Sequence, residues 1–428
     1  MTNLKNTKSK RKVHIMIIMD GASDHFRLNG KSPLEIAETP HLDKITERSG
    51  IGRLQTLYSD LPKDSVVAQL GLLGYDPYKY FPLGRSYFEV PDDIEVNAND
   101  LIFRVNLVHF DDDHVLTSYS GNSIDTTSAK SIIKYINEST DKVFPEFRLY
   151  NNSDFRNSLI IKNVGRLDFE LKYWEPHEEQ GRNFADQNLI TASVKHPFVD
   201  RINEYVNFVS QKLKGREING IFPWGYSHSI DLPKFSENLK GCIIGNMDFL
   251  NGFSRKMGLD FYKIGNSNWD TDYAGKGKLL VEQFEKGDYD FIYCHINGPD
   301  EASHLNDLEK KIFSIEQIDK HILGPVFHLF RNETDELGSV MISPDHYTNI
   351  NLLDYKDKRR DAHSVDPVPF VIWNDRIKDE VLTFSEKNAM NGCYKEIINH
   401  CDLMDLMGIK ILRADKKHNI SSNTNISK

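Results

Sequence analysis

The sequence Asp-Phe-Ile-Tyr-Cys-His-Ile-Asn-Gly-Pro-Asp-Glu-Ala-Ser-His at residues 290–304 decides the fold, and two later stretches repeat its pattern. They read Ser-Val-Met-Ile-Ser-Pro-Asp-His at 339–346 and Asp-Ala-His-Ser-Val-Asp-Pro-Val-Pro at 361–369. In each stretch a short apolar run ends in, or begins just after, Asp and His residues. Continuous apolar runs are typical of buried parallel strands, and open parallel sheets place their sites beyond the carboxyl ends of the strands. The sequence therefore predicts an α/β fold with a mostly parallel sheet and a site at one edge.

The side chains at these strand ends are of the types that bind metal ions, namely Asp300, His304, Asp345, His346 and His363. Imidazole together with carboxylate suits Zn or Mn, whereas sites richer in oxygen favour Mn or Mg. Asp300 and His304 are four residues apart, so on a helical turn they project from one face towards one ion. One such histidine alone is more often structural, but five ligand-type residues at successive strand ends predict a binuclear metal site.

Length, net charge and cysteine content limit the domain organisation, the partners and the compartment of the protein. A chain of 428 residues fits two domains, or one large domain with an insert. The formal net charge of −10 argues against nucleic acid or an anionic membrane surface as a general partner, but it leaves an anionic small substrate open. The four cysteines form no CxxC pair, which indicates reduced thiols in a cytosol, and Cys294 is expected in the core.

The ends of the chain show no sign of membrane targeting. No stretch approaches the about 18–20 apolar residues that a spanning helix needs. The apolar run Val13–Met19 after the basic N-terminus lacks a small-residue cleavage site and is too short for a signal peptide. We therefore expect a cytoplasmic protein, with a disordered tail at 414–428.

The N-terminal third adds two candidate residues. The predicted strand Val13–Met19 stops at Asp20, which is either a turn residue or a ligand, and Gly21 allows a sharp turn. Ser65 precedes an apolar helical run that ends at Gly74. A helix N-terminus favours phosphate, so Ser65 is either a plain N-cap or, beside a dimetal cluster, a nucleophile whose pKa a bound metal lowers.

At this point the chain resembles the alkaline phosphatase superfamily and, within it, the archaeal-type, cofactor-independent phosphoglycerate mutases. The matching motifs run in the family's order from about residue 13 to residue 375: Met19-Asp-Gly, Lys31-Ser-Pro-Leu-Glu, Thr39-Pro-His-Leu-Asp, Ser65-x-x-Ala with Leu73-Gly-Tyr-Asp-Pro, Gly84-Arg-Ser-Tyr-Phe-Glu, Phe103-Arg-Val-Asn, Glu175-Pro-His, His295-x-x-Gly-Pro-Asp-Glu-Ala-x-His, Asp345-His and His363-Ser-x-Asp-Pro-Val-Pro.

The resemblance implies a role for each matching residue. One divalent ion would be held by Asp20, Ser65, Asp345 and His346, and the other by Asp300, His304 and His363. Mn or Zn is favoured, and Mg, Fe or Co would also fit such ligands. Ser65 would be phosphorylated and dephosphorylated in turn, and His177 would assist proton transfer or help to clamp the substrate.

The resemblance also implies the domain organisation. An alkaline-phosphatase-like core, with helices flanking its sheet, would occupy 1–90 and 176–413, and a small inserted α+β cap domain would occupy 91–175. Within the insert, the pattern predicts paired strands at Leu101–Phe110 and 115–120, a helix at 126–136 and strands at 147–150 and 158–161.

The departures from the family concern the substrate rather than the metals. Val66 stands where the family has Asp, Asn297 where it has Lys, and two arginine-containing segments are replaced at 120–127 and 223–227. Arginine is the side chain best shaped to bind both the carboxylate and the phosphate of phosphoglycerate. The remaining candidate substrate-binding cations are Arg85, Arg104, Arg182 and Lys263.

The first interpretation is therefore a phosphomutase that converts 3-phosphoglycerate to 2-phosphoglycerate through a phosphoserine. The alternative keeps the chemistry but changes the outcome: a metal-dependent phosphomonoester hydrolase, or a mutase for another small phosphorylated or phosphonate metabolite. A catalytically silent, metal-stabilised binding protein is a third possibility, against which the complete ligand set argues. The expected partner is a small phosphorylated metabolite, and the oligomeric state is open.

Overall fold

The computed structural model describes residues 12–331, 336–350, 362–374, 378–398 and 400–409, so the tail predicted at 414–428 lies outside the described residues. The strands in this part of the chain are β1 Val13–Met19, β2 Gly50–Leu54, β3 Leu101–Phe110, β4 Leu116–Ser118, β5 Phe147–Ser153, β6 Arg156–Ile161, β7 Leu171–Tyr173, β8 Ile190–Ala192, β9 Gly220–His228, β10 Gly241–Gly245, β11 Asp260–Lys263, β12 Phe291–Ile296, β13 Leu337–Ser343, β14 Tyr347–Thr348, β15 His363–Ser364, β16 Val368–Trp373 and β17 Tyr394–Ile398.

The helices are named in the same way. They are α1 Pro33–Ile36, α2 Pro40–Thr46, α3 Ser65–Leu72, α4 Pro77–Tyr80, α5 Thr126–Thr140, α6 Pro197–Leu213, α7 Asp248–Met257, α8 Tyr273–Lys286, α9 Gly298–His304, α10 Leu308–Ile318, α11 Gly324–Arg331, α12 Glu386–Ala389 and α13 His400–Met407, with a π-helical turn at Asp319–Leu323 between α10 and α11. Among the helices described, none is both long enough and apolar enough to cross a membrane.

Contacts divide the described chain into two units. Unit 1 holds the residues up to Lys79, Pro233–Met247 and the residues from Ser254 onward, and unit 2 holds Tyr80–Leu232 and Asp248–Phe253. Unit 2 is therefore longer than the insert predicted at 91–175. The reason is that β9 pairs antiparallel with β3 between Leu101–His228 and Val108–Gly220, which keeps the chain beyond 175 in this unit.

Unit 1 is built on an eight-stranded sheet in the order β11-β10-β12-β1-β13-β16-β2-β17. The five strands from β11 to β13 are parallel, and β16 is antiparallel to both of its neighbours. This arrangement confirms the predicted α/β class with a mostly parallel sheet flanked by helices.

The central strand β1 shows why these residues form a sheet core. Ile15 and Ile17 belong to one apolar cluster with side chains of α2, α8 and α10, while Met16 and Ile18 on the opposite face of the strand are also fully buried. A strand covered on both faces needs a continuous apolar run, and each fully buried aliphatic side chain contributes about 1.5–3 kcal/mol. Burial on both faces therefore favours apolar side chains along β1, and the carboxylate of Asp20 follows at its end.

Unit 2 is an α+β structure around five antiparallel strands. In it β3 pairs with β4, β6 and β9, and β6 pairs with β5. The amphipathic helices α5 and α6 pack on this sheet through Ile133, Ile136, Ile202 and Val209. The strands and helix predicted between 101 and 161 are confirmed, with α5 continuing to Thr140.

Candidate metal centre

Asp20, Asp345 and His346 lie together because they follow adjacent parallel strands of unit 1. Asp20 comes directly after β1, and Asp345 and His346 come just after β13, and all three side chains are buried. The His346 Nε2 atom lies 3.5 Å from Asp20 Oδ1 and 3.4 Å from Asp345 Oδ2. The Gly21 N–H donates to Asp345 Oδ1 at 3.0 Å, which holds the two strand ends together.

A second group forms around Asp300 at the end of the neighbouring strand β12. Asp300 lies in α9, where its Oδ2 atom is 3.3 Å from His304 Nε2, as the four-residue spacing predicts. Its Oδ1 atom is 3.5 Å from Nε2 of His363, which opens the short strand β15. The rings of His346 and His363 stack with centroids 4.0 Å apart, so the two groups adjoin.

Ser65 lies beside this assembly at the start of α3. The helix is capped by Asp64, whose side chain accepts the Val66 N–H at 2.7 Å, so Ser65 is not the N-cap. The Ser65 hydroxyl is instead 3.1 Å from His346 Nε2, and the residue is partly exposed. The structure thus brings together all seven residues for which the resemblance implies metal binding. We call these seven residues and His295, described next, the metal cluster.

His295 is a member of the cluster that the ligand prediction did not include. It is fully buried in β12, where it pairs in register with Ile18, and its Nε2 atom lies 3.3 Å from Asp20 Oδ2. Its ligand atoms group with those of Asp20 and Asp345, and a second such group is Asp300, His346 and His363. The signal that could have identified it is a histidine one residue before the carboxyl end of a continuous apolar strand.

The donor set of the cluster fits divalent cations. Within the described residues, both ring nitrogens of His295, the Nε2 atom of His363 and the Oδ1 atom of Asp20 are buried without a hydrogen-bond partner. Buried polar atoms seldom lack a partner, and several of them converging on one place are typical of a cation-binding site. Mixed imidazole and carboxylate ligands suit Zn or Mn.

The electrostatics of the cluster point the same way. Burial, together with the carboxylates of Asp345 and Asp300, raises the pKa of Asp20 well above its usual range. Burial also lowers the pKa of both His295 and His346 to about 4, which keeps these imidazoles neutral. Because carboxylates crowd together here and neutral imidazoles face them, a bound divalent cation would relieve the repulsion and accept the free lone pairs.

The Asp300 group shows the opposite balance of charge. Although burial opposes it, the imidazoles of His304 and His363 hold the pKa of Asp300 well below its usual range. The same pairing raises the pKa of His304, and it raises the pKa of His363 to about 9 against the effect of burial. The His363 Nδ1–H donates to the Lys63 carbonyl oxygen at 2.9 Å, which directs Nε2 towards Asp300.

In unit 2, two of the candidate substrate-binding cations lie in what we call the arginine cluster: Arg85, Glu89, Arg104, His177 and Trp224. The Arg104 Nε atom is 2.8 Å from Glu89 Oε2, and the Arg85 Nε atom is 3.6 Å from Glu89 Oε1. The Arg104 guanidinium lies over the Trp224 ring at 3.9 Å, and the partly exposed His177 ring is 5.5 Å from the same indole.

The other two candidates lie elsewhere. Arg182 pairs with Glu179 at 2.9 Å and stacks on Trp174 at 3.6 Å, which are contacts typical of a structural arginine. Lys263 is in unit 1, at the exposed end of the edge strand β11.

Asn297, one of the departures from the family, contacts a buried lysine that was not singled out from the sequence. Lys276 in α8 is fully buried, and its Nζ atom lies 3.4 Å from Asn297 Oδ1, 3.2 Å from Asn246 Oδ1 and 3.1 Å from the His295 carbonyl oxygen. Burial lowers the pKa of Lys276 to about 8. Lys276 of α8 therefore places a cation next to Asn297, the N-cap residue of α9.

Comparison with known proteins agrees with this geometry. The sequence profile of the metalloenzyme superfamily matches residues 12–407. The 2,3-bisphosphoglycerate-independent phosphoglycerate mutase of Methanothrix thermoacetophila is 30% identical over 413 residues, which covers 92% of this chain and 99% of the relative.

Solved structures support the same relationship. A Pyrococcus horikoshii protein superposes with a TM-score of 0.68 at 25% identity, covering 93% of this chain and 98% of that one. The cofactor-independent phosphoglycerate mutase of Thermoplasma acidophilum has a TM-score of 0.55 at 22% identity over 92% of this chain and 98% of its own, and it shows the shared fold. The chain therefore belongs to the metalloenzyme superfamily and, within it, to the family of the archaeal-type, cofactor-independent phosphoglycerate mutases.

Proposed function

We propose that this protein is a metal-dependent phosphomutase that converts 3-phosphoglycerate to 2-phosphoglycerate through a phosphoserine at Ser65. The observation that carries the proposal is the position of the Ser65 hydroxyl, 3.1 Å from His346 Nε2 and beside a largely buried cluster of Asp and His side chains. Family membership supports the same reaction, since the relative from Methanothrix carries this activity in its name.

The residues that would hold two divalent ions are those of the metal cluster. Bound there, the ions would lower the pKa of the serine hydroxyl and offset the charge of the phosphoryl oxygens. We assign Asp20, Ser65, Asp345 and His346 to one ion and Asp300, His304 and His363 to the other, with Mn or Zn as the favoured metals. His295 lies 3.3 Å from Asp20 and is a further candidate ligand on that side.

The protein's own groups perform the transfer in two halves. Ser65 Oγ loses its proton and attacks phosphorus, a new O–P bond forms, the bond from phosphorus to the substrate oxygen breaks on the opposite side, and that oxygen takes up a proton to become a hydroxyl. The positive end of the α3 dipole favours the negative phosphoryl group at this position. In the second half, the neighbouring hydroxyl of the retained glycerate attacks the phosphoserine, which restores Ser65 and yields the isomer.

For substrate recognition we propose Arg85 and Arg104, with Arg182 and Lys263 as further candidates and His177 as a proton carrier or clamp. Arg85 and Arg104 share the carboxylate of Glu89, and Arg104 also stacks on Trp224, so the guanidinium of Arg104 is held in one orientation. A preorganised guanidinium loses little freedom when it binds a carboxylate or a phosphate.

A second candidate function is favoured by the departures from the family. Val66 is a buried aliphatic residue, and Asn297 carries no charge. If the dephosphorylated intermediate is not retained, water replaces the second hydroxyl and the protein is a phosphomonoester hydrolase. A mutase for a different small phosphorylated or phosphonate metabolite would use the same metal cluster with other recognition groups.

Phosphorus NMR separates these outcomes. With 3-phosphoglycerate and added Mn²⁺, we expect the 2-phosphoglycerate resonance to appear and the Ser65→Ala variant to produce none. Release of inorganic phosphate without isomerisation would support the hydrolase instead. If neither product forms from phosphoglycerate, the substrate is a different metabolite.

We also propose a role for unit 2, a class of partner and a cellular location. We propose that unit 2 is the inserted cap domain of the family and that the partner is a small phosphorylated metabolite. A cytoplasmic location is proposed on the thiols, since the described side chains of Cys242, Cys294 and Cys393 are free.

A further inference from the structure

The hydroxyl of Thr348 joins the two halves of the metal cluster. Thr348 is fully buried in β14, two residues after His346. Its Oγ1 atom lies 3.0 Å from His346 Nδ1 and 2.6 Å from Asp300 Oδ1. These two residues are assigned to different ions, so one hydroxyl contacts a ligand of each.

The direction of the two hydrogen bonds follows from the proton inventory. A threonine hydroxyl has one proton, and the carboxylate of Asp300 can only accept, so Thr348 donates to Asp300. The Thr348 oxygen must then accept from His346, which places the imidazole proton on Nδ1. The Nε2 atom of His346 therefore carries a lone pair, and it is this atom that lies 3.1 Å from Ser65 Oγ.

The backbone around Thr348 leaves the hydroxyl little freedom. The buried Lys311 ammonium donates to the Thr348 carbonyl oxygen at 2.7 Å, to Asp24 Oδ2 at 2.8 Å and to the Ser23 carbonyl oxygen at 3.3 Å. The Thr348 N–H donates to Ser23 at 3.1 Å. A charged pair with no exposed surface ties the segment after β1 to the segment that carries Thr348.

The backbone of Gly21 packs closely against the hydroxyl of Thr348 and the carboxylate of Asp300. Its φ of +62° favours glycine, and a Cβ at this position would lie 2.5 Å from Thr348 Oγ1 and 2.7 Å from Asp300 Oδ1. Only a residue without a side chain allows the backbone to approach the hydrogen bond between Thr348 and Asp300 so closely. Two independent features, the buried lysine and the glycine, thus preserve the same hydroxyl geometry.

We propose that Thr348 is a positioning residue that fixes the Nδ1–H tautomer of His346 and orients Asp300, so that both proposed ions meet preoriented ligands. The inference rests on the metal site of the proposed function. Partners of metal ligands typically contribute about 10–100-fold to metal affinity because they fix the tautomer and the ring orientation.

Manganese binding to full-length, metal-free protein, followed by calorimetry and electron paramagnetic resonance, tests the proposal. We expect Thr348→Val to weaken binding about 10–100-fold, and Thr348→Ser, which keeps the hydroxyl, to restore most of the affinity. The matched control is Thr46→Val, because Thr46 is also fully buried in unit 1 but its hydroxyl donates only to the Leu42 carbonyl oxygen. Wild-type affinity in Thr348→Val would overturn the proposal.

A second measurement reads the tautomer in the wild-type protein itself. Two-bond ¹⁵N–¹H correlations of the imidazoles in the wild-type protein, with His346 assigned from the spectrum of His346→Gln, report its tautomer without metal. We expect the proton on Nδ1, and a proton on Nε2 overturns the inference. Failure of the wild-type protein to bind manganese would instead contradict the proposed function, while the tautomer still decides the role of Thr348.

Discussion

The metal cluster of unit 1 and the arginine cluster of unit 2 hold their charged groups in contrasting ways. In the metal cluster, buried nitrogens of His295 and His363 and an oxygen of Asp20 have no hydrogen-bond partner among the described residues. In the arginine cluster, Arg104 is already paired with Glu89 and stacked on Trp224. The metal cluster therefore presents ligand atoms that suit a cation, whereas the charges of Arg104 are offset by side chains of the arginine cluster itself.

The contrast indicates that the fold specifies the proposed phosphoryl-transfer chemistry more closely than it specifies substrate recognition. Parallel strands end at one edge of a sheet, so Asp20, Asp345 and Asp300 are delivered to one place by topology alone. The cations of unit 2 depend on individual side-chain contacts, which can change while the fold is kept. The proposed chemistry therefore follows from the fold, whereas the identity of the substrate depends on individual side chains.

The largest effect is expected at the nucleophile. Ser65→Ala removes the oxygen that we propose to attack phosphorus, and removal of a nucleophile typically costs about 10⁴-fold or more in kcat. The readout is the rate of 2-phosphoglycerate formation by phosphorus NMR. The control is Ser385→Ala, since Ser385 also sits at a helix start, where it caps α12 and lies outside the metal cluster. Equal rates in the two variants would refute the role of Ser65.

The next effect concerns Asp300, the proposed metal ligand that contacts two histidines. Asp300→Asn removes the charge that pairs with His304 at 3.3 Å and with His363 at 3.5 Å. Loss of a direct ligand should exceed the about 10–100-fold loss of affinity expected when only a partner of a ligand is removed. Metal content after dialysis, measured by plasma emission, is the readout. Asp307→Asn, an N-cap change outside the cluster, should leave the metal content unchanged.

A smaller effect, on substrate affinity rather than on the chemical step, is expected from a substitution in the arginine cluster of unit 2. Arg104→Met keeps the apolar stem over Trp224 but removes a charged donor, which is worth about 1.5–3 kcal/mol in a hydrogen bond to a charged group. We expect KM for the phosphorylated substrate to rise about 10–100-fold with a smaller change in kcat. Arg182→Met, at the arginine paired with Glu179, is the comparison variant. If the Arg182 variant alone raised KM, recognition would lie outside the arginine cluster.

An effect on stability rather than on catalysis is expected at the buried lysine Lys276, which contacts the His295 carbonyl oxygen. Burial lowers the pKa of Lys276 from 10.5 to about 8 in the folded protein. Between these pH values the unfolded chain binds more protons than the folded one, so the contribution of Lys276 to the unfolding free energy rises with pH. The gain is on the order of 1 kcal/mol per pKa unit, and below about pH 8 the contribution is constant.

Urea unfolding measured from pH 7 to pH 10.5 detects this term. The difference in unfolding free energy between wild type and Lys276→Met should shift in favour of the wild type as the pH rises through that window. Lys278→Met, on the exposed face of the same helix, is the control. A pH-independent difference for Lys276→Met would show that this lysine titrates alike in the folded and unfolded states.

Much of the fold and most of the cluster could be predicted from the sequence because they follow from local pattern. The apolar run of β1 predicted its bounds, Val13–Met19, and the spacing of Asp300 and His304 predicted their shared helical face. The cap of α3 was the detail left open, and the structure assigns it to Asp64, which frees Ser65. At α2, Thr39 occupies the N-cap position without a side-chain capping bond, and Pro40 begins the helix.

The residues that sequence reasoning missed act through long-range contacts. The position of His295 near the end of an apolar strand is a local sign that the ligand prediction did not use, but its partner Asp20 lies on a different strand, 275 residues earlier in the chain. Thr348 and Lys311 are 37 residues apart, and no local pattern indicates that the ammonium of one holds the carbonyl of the other. Such contacts depend on packing between elements, which periodicity and spacing do not encode.

The central claim is that Ser65 carries the phosphoryl group during turnover, and mass spectrometry of rapidly quenched enzyme tests it most directly. When the enzyme is mixed for a few milliseconds with Mn²⁺ and 3-phosphoglycerate labelled with ¹⁸O in its phosphoryl group, the peptide that contains Ser65 should carry one labelled phosphoryl group, which a chase with unlabelled substrate replaces by an unlabelled one. Turnover with no phosphate on that peptide, or with phosphate on a different residue, would contradict the account.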